Sequence, residues 1–305
     1  MKGFGVCVKN KPILEKIYLK KVEEYGPDLV VVLDKPIIAQ DFLDGVSVPV
    51  VWIDHHPIVK RDKVKYFNSR QNDENEIGSV ARMAYEISRG ELWVASVGAI
   101  SDYDLPDYLK EFSEKYPELM SNPVKDAGEA LYRMKIGKLV KIMNFLLKGT
   151  TTAVRKSVEN LFKIENPLEI VDGASARGKF LLKSVEKILE EYDNLMKRAL
   201  KEKVGKNGLF LFIYADEKNS FTSSLSSELS YILKKKNPKL IVVGRRHKGE
   251  IKMSLRSSVL KLPPILENAL VNVKGYGGGH NPACGACVSE DDFELFVENL
   301  KALLI

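Results

Sequence analysis

Residues 48–57 read Val48-Pro49-Val50-Val51-Trp52-Ile53-Asp54-His55-His56-Pro57. A continuous, largely β-branched run ends in an acid and two adjacent imidazoles. Apolar runs without alternation suit strands buried on both faces, as in a parallel sheet covered by helices. Pro49 stands near the start of the run, where a strand tolerates a missing N–H. Leu29-Val30-Val31-Val32-Leu33 is a second such run and ends in Asp34. Trp93 to Ile100 reads as a third, ending in Ser101-Asp102. Helical spacings lie between them, at Leu14 to Tyr25 and Ser79 to Ser88. Gly3 to Val8 is a further short strand candidate. In open α/β sheets ligands bind beyond the carboxyl ends of the strands. Asp34, Asp54-His55-His56 and Asp102 are therefore expected to converge on one crevice.

Outward from this stretch the pattern changes twice. From about residue 106 to 204 strand runs vanish and helical spacing dominates, with Leu139 to Leu147 apolar and Phe180 to Lys203 read as one long helix. Gly205 and Asn207-Gly208 end it. A second α/β unit follows. Leu209 to Tyr214 and Lys239 to Val243 read as strands, Ser224 to Lys234 as a helix, and Glu250 to Arg256 as an alternating strand after a Lys248-Gly249 turn. Gly275-Tyr276-Gly277-Gly278-Gly279-His280 reads as a glycine-rich loop, and Asp292 to Leu304 as a closing amphipathic helix. The expectation is an α/β protein. It has an N-terminal parallel-sheet domain with a helical extension (1–190), a long connecting helix, and a smaller C-terminal mixed α/β domain (205–305).

Composition narrows the function. A chain of 305 residues that is 45% hydrophobic can bury two sizeable cores, which excludes wholesale disorder. No run approaches the roughly 18 consecutive apolar residues of a membrane helix, and the N-terminal apolar run is too short for a signal peptide. Three cysteines make no disulfide framework, so a cytoplasmic protein is expected. With 47 basic against 41 acidic residues the net charge of +6 permits a phosphate-bearing partner without demanding one.

Only four histidines occur, His55, His56, His247 and His280. Singly, each reads as a turn or loop residue. Together with Asp34 and Asp102 at matching element ends, His55 and His56 point to a site. Carboxylates and imidazole make a mixed oxygen and nitrogen donor set suited to Mn2+ or Mg2+, and a carboxylate shared between two such ions clamps a phosphoryl group. A triple glycine lets backbone N–H groups approach a phosphate closely, and His280 at its end adds a charge-assisted donor when protonated. Zinc at Cys284 and Cys287 would need two more ligands, for which Cys7 and His280 are conceivable but unsupported by spacing, and the pair reads as small buried residues. Arg245-Arg246-His247-Lys248 and Arg177-Gly178-Lys179 read as solvated surface, and Ser220 to Ser224 as a helix cap whose hydroxyls can also touch nucleic acid.

These motifs resemble those of the DHH phosphoesterase superfamily. Trp52-Ile53-Asp54-His55-His56-Pro57 resembles its namesake motif, Asp34 after Leu29 to Leu33 its second, and Gly98-Ala99-Ile100-Ser101-Asp102 its fourth. Gly277-Gly278-Gly279-His280, with Ser254-Leu255-Arg256 upstream, resembles the signature of the DHH-associated substrate-binding domain. Within the superfamily the chain resembles the archaeal RecJ-like proteins. These include a nuclease associated with GINS and a branch associated with a repair helicase. The resemblance implies that Asp34, His55 and Asp102 are ligands of one metal, and that His56 is a catalytic residue at the substrate phosphate. It implies that Arg256, Gly277, Gly278, Gly279 and His280 bind that phosphate. The implied activity is metal-dependent hydrolysis of phosphodiester bonds in single-stranded nucleic acid or short oligonucleotides.

The family's first motif, a strand ending in an aspartate-rich turn, has no counterpart here. Gly3 to Val8 leads into Lys9-Asn10-Lys11-Pro12, with neither Asp nor His. One metal then keeps its full set and the second keeps Asp34 alone. Three readings follow: a start codon assigned too far downstream, a one-metal enzyme, or a catalytically inactive RecJ-like subunit. The last would bind nucleic acid or GINS in the archaeal replication machinery, as the eukaryotic member in the replicative helicase does.

Overall fold

The computed structural model describes residues 12–71, 73, 76, 78–215 and 219–304, together with Gly5. The remainder of the Gly3 to Val8 candidate, and Lys9 to Lys11, lie outside the described residues. The chain divides into two compact units, Met1–Val140 and Lys141–Ile305.

The first unit contains β1 (Ile13–Leu14), β2 (Val30–Leu33), β3 (Ile37–Ile38), β4 (Val50–Asp54) and β5 (Lys65–Asn68). A parallel sheet runs β2-β4-β5, and β1 pairs in parallel with β3. Val32, Val50 and Trp52 share one sheet face and pack with Leu14, Ile38, Phe42 and Leu43. Trp52 stacks on Tyr66 at 3.9 Å between ring centroids and donates its indole N–H to Lys35 O at 2.8 Å. Burying each large side chain there contributes about 1.5–3 kcal/mol. The other face is less covered. Leu29, Val31 and Leu33 are about half exposed, so this run is buried on one side rather than on both, and among the described residues β2 ends its sheet.

A second expectation is corrected. Trp93 to Ile100 lies within a helix, Leu92–Ser101, not a strand. Its apolar residues run all the way round, and seven of its ten residues are buried. A helix of that kind has no amphipathic period, so a short apolar run does not distinguish it from a buried strand. Small residues are the better sign: Gly98 leaves room for Ala81 of the neighbouring helix Val80–Ser88, where a Cβ would come within 2.6 Å of the Ala81 methyl. Ser79 caps that helix, its hydroxyl accepting from Arg82 N at 3.2 Å. Helices Leu109–Lys115 and Ala127–Arg133 follow, and helix Lys135–Leu146 contains the division between the units.

The second unit begins with helices Thr151–Leu161 and Leu168–Asp172 and the long helix Ala176–Ala199, capped by Ser175. Its sheet holds β6 (Leu209–Tyr214), β7 (Leu240–His247), β8 (Glu250–Arg256), β9 (Gly275–His280) and β10 (Ala283–Ser289), in the order β6-β7-β8-β10-β9. Only β6 and β7 pair in parallel. Lys248 and Gly249, both at positive φ, make the two-residue turn between β7 and β8. Helices Leu262–Ala269 and Phe293–Ala302 cover one face through Leu262, Leu266, Phe296 and Leu300. Helix Thr222–Ile232 packs on β7 and β8, and Ser254 Oγ donates to Thr222 Oγ1 at 3.2 Å.

The glycine-rich stretch is also corrected. It is the edge strand β9, paired throughout with β10, and not a loop. Gly279 sits at φ 144°, where a Cβ would approach Ala283 O at 2.6 Å. Glycine is poor in strands on propensity, but here it lets the edge strand lie close to its neighbour. Among the described residues no helix is long and apolar enough to cross a membrane.

Candidate metal centre and phosphate-binding face

In the first unit, β2 and β4 end side by side, with Leu33 in register with Ile53. Asp34 follows β2 at φ 54°, a left-handed conformation uncommon for residues other than glycine, and its N–H donates to Ile53 O at 3.0 Å. This turn carries its carboxylate towards the β4 end, where His55 and His56 follow Asp54. His55 Nε2 lies 3.4 Å from Asp34 Oδ1 and 3.5 Å from Asp102 Oδ2. Asp102 closes the helix Leu92–Ser101, its N–H bonded to Gly98 O and Ala99 O, and Tyr103 beside it has φ 60°. The three residues predicted as ligands are thus brought together by two strand ends and one helix end, rather than by three strand ends. Asp34, His55 and His56 also each offer a donor atom within 4.8 Å of the others.

His56 is held differently. Its Nδ1 lies 2.7 Å from Asp54 Oδ1, and its backbone N–H donates to Asp54 Oδ2 at 3.1 Å. Asp54 is fully buried, and these two contacts fix the His56 ring through Nδ1. Tyr66 OH donates to Asp54 at 3.4 Å, and burial pushes that phenol up to about 12. Asn68 Nδ2 donates to His56 O, and Arg70 Nε donates to His55 O at 2.8 Å. Asp104 accepts from the Ser79 N–H and hydroxyl, tying the start of helix Val80–Ser88 to the residues just after Asp102. The sequence alone gives Asp54 no task within its motif and Asp104 no role. Complete burial at a polar strand end is the signal that separates Asp54 from a ligand.

The electrostatics are those of a cation site. The hydrogen bond between His55 and Asp34 holds the carboxyl of Asp34 below its ordinary value and raises the imidazole. Burial, reinforced by the Asp34 charge, pushes Asp102 up. Two carboxylates facing one imidazole nitrogen are mutually repulsive unless a positive charge lies between them. Ligand atoms about 2.1 Å from a small divalent ion stand about 3 Å apart at adjacent positions. The observed 3.4 and 3.5 Å, both to His55 Nε2, are close to that edge for the Asp34–His55 and His55–Asp102 pairs, while the group whose donor atoms all lie within 4.8 Å of one another is Asp34, His55 and His56. His55 Nδ1 is buried and has no hydrogen-bond partner among the described residues.

In the second unit three of the remaining predicted residues, Arg256, Gly278 and His280, share one sheet face. Residues in register on antiparallel strands point to the same side. Arg256, Ala283 and His280 form one row across β8, β10 and β9. Ser254, Gly285 and Gly278 form the next, and Lys252, Cys287 and Tyr276 the third. Arg256 is braced against the helix Thr222–Ile232: Nε donates to Ser227 Oγ at 3.3 Å and an Nη to Ser223 Oγ at 3.1 Å. His280 is exposed one small residue away, about 10 Å between backbones across two strand spacings. Gly278 belongs to this open face, whereas Gly277 and Gly279 face the core side, against Leu266 and Cys284. Cys284 also faces the core and Cys287 the open side, so the pair does not chelate one ion; both are buried free thiols, as expected. Arg246 pairs with Glu290 at 3.2 Å on the surface.

Residues 205–305 match the DHHA1 domain. The chain's fold is similar to RecJ of Thermus thermophilus, solved with Mn2+, at TM-score 0.64 and 15% identity, covering 95% of this chain and 46% of that one. It is similar to the DHH domain of a protein described as belonging to a family of ribosomal proteins, at TM-score 0.61 and 15% identity over 97% of this chain and 76% of that one. It is similar to an exonuclease RecJ bound to manganese, at TM-score 0.54 and 14% identity over 95% and 78%. No curated protein matches the chain. It spans less than half the length of the Thermus RecJ. The chain shares its fold with these RecJ and DHH-domain structures, and its last hundred residues match the DHHA1 domain.

Proposed function

We propose that this chain is a metal-dependent phosphodiesterase acting on single-stranded nucleic acid or short oligonucleotides. The observation that carries the reading is the convergence of Asp34 and Asp102 on one imidazole nitrogen of His55, at 3.4 and 3.5 Å. These three residues would hold a divalent ion of the Mn2+ or Mg2+ type, and the manganese-bound RecJ structures of similar fold favour that choice. When bound, such an ion stabilises charge on phosphoryl oxygens and acidifies water.

The protein's own groups supply the rest. His56, fixed through Nδ1 by Asp54, presents Nε2 as a donor or acceptor to a phosphate oxygen or the leaving oxygen. Arg256 offers a planar guanidinium already oriented by two serines, so little is lost in ordering it on a phosphate. Within the second unit, His280 and the open floor at Gly278 lie on the same face as Arg256 and would hold a phosphate with it. The reaction adds water across one P–O ester bond and yields a phosphomonoester and an alcohol.

The test is hydrolysis of labelled single-stranded RNA and DNA by the full chain with Mn2+, beside His55→Ala. Cleavage by the parent that His55→Ala lacks is expected. No cleavage by the parent, or equal cleavage by both, overturns the reading.

A further inference from the structure

We propose that Tyr276 is a base-stacking residue of the DHHA1 face, so that the ligand held there carries a nucleobase and is not merely a phosphate ester. This rests on the nucleic-acid reading above and adds a residue that decides substrate class. Tyr276 is 67% exposed on the edge strand β9, on the same side as Gly278 and His280. It is the one aromatic side chain in the three rows, apart from the imidazole of His280. The middle row beside it is nearly bare. A Cβ at Gly278 would meet nothing within 4 Å, and at Gly285 only Met253 O at 3.8 Å. Rows on one face lie about 7 Å apart along the strands. A phosphate over the bare middle row is therefore bordered by the Arg256 and His280 row on one side and by the Tyr276 and Lys252 row on the other.

An exposed tyrosine offers a ligand an apolar ring and a polar tip at low conformational cost. The ring is not loose. Cys287, its register partner, is only 5% exposed on an otherwise open face, and the thiol interacts with the Tyr276 hydroxyl. The hydroxyl is thus held at Cys287 while most of the residue faces solvent beside a floor without side chains. Every base has a π-face, so a single placed ring recognises nucleobases without selecting a sequence. The competing role is shielding of Cys287, which predicts altered thiol reactivity and no change in ligand binding.

The experiment uses the full chain without metal, with a tetranucleotide carrying 2-aminopurine and a tetranucleotide of abasic sites. Stacking quenches 2-aminopurine, which reads the contact directly. The parent is expected to quench the probe and to bind it more tightly than the abasic chain. Tyr276→Ala is expected to lose the quenching, to weaken probe binding about ten-fold, a typical loss for one stacked base, and to bind both chains alike. Tyr276→Phe keeps both properties. Unchanged quenching and affinity in Tyr276→Ala overturn the proposal, as does a parent that binds neither tetranucleotide. Because no hydrolysis is read, a chain that fails to cleave yet shows Tyr276-dependent quenching separates failure of the enzymatic reading from failure of this one.

Discussion

The acid and imidazole cluster of the first unit and the glycine face of the second solve opposite problems. In the first, side chains are crowded and each is held by another: Asp54 fixes His56, Asp34 meets His55, and Asp104, just after Asp102, ties down the start of helix Val80–Ser88. In the second, the site is made by leaving side chains out, at Gly278 and Gly285, between cations and a tyrosine on neighbouring rows. The first arrangement concentrates charge and depends on a few exact partners. The second depends on backbone geometry. Substitutions should therefore damage the first through chemistry while the fold survives, and the second through either fold or binding, according to which side of the strand they fall on.

The largest effect is expected at Asp34. Asn tolerates the left-handed backbone that Asp34 adopts, so Asp34→Asn removes the charge without removing the turn. Hydrolysis with Mn2+ should fall by at least about a hundred-fold, the upper range seen when mere supporting groups of a metal site are lost. The unfolding midpoint in denaturant should stay close to the parent's. Next comes Asp54→Asn, which keeps the shape but offers His56 an amide in place of an obligatory acceptor. A loss of about 10–100-fold in kcat is expected, measured in the same assay.

The two glycines of β9 sharpen the contrast. Gly279→Ala should destabilise the protein by about 2 kcal/mol in denaturant unfolding, because φ 144° and the nearby Ala283 O both oppose a methyl group. Gly278→Ala, one residue away, should leave stability within about 0.5 kcal/mol, since its Cβ enters open space. It should instead weaken oligonucleotide binding by occupying the floor. Equal destabilisation by both would break the division of β9 into a core side and an open side.

Much of this is legible in the sequence, and the failures have physical causes. The strands Leu209–Tyr214 and Glu250–Arg256 are readable to the residue, because their flanking turn residues and strand patterning agree. Asp34, His55, His56 and Asp102 stand out as a group, since acids at the ends of apolar runs are uncommon. The helix Leu92–Ser101 passes for a strand because a helix buried all round shows no period. Strand β9 passes for a loop because glycine's propensity points that way, while cross-strand pairing with β10 overrides it. The anchoring role of Asp54 is invisible because it depends on Tyr66 and on His56 being turned back towards it, a contact that sequence order does not announce.

The most direct measurement is a Mn2+ titration followed by electron paramagnetic resonance, on the full chain and on His55→Ala. Loss of the free-ion signal on binding to the parent, with binding at least about ten-fold weaker in the variant, is the expected result for a ligand that contributes a bond to the ion. Equal binding by both chains, or none by the parent, would contradict the assignment of Asp34, His55 and Asp102 as a metal centre.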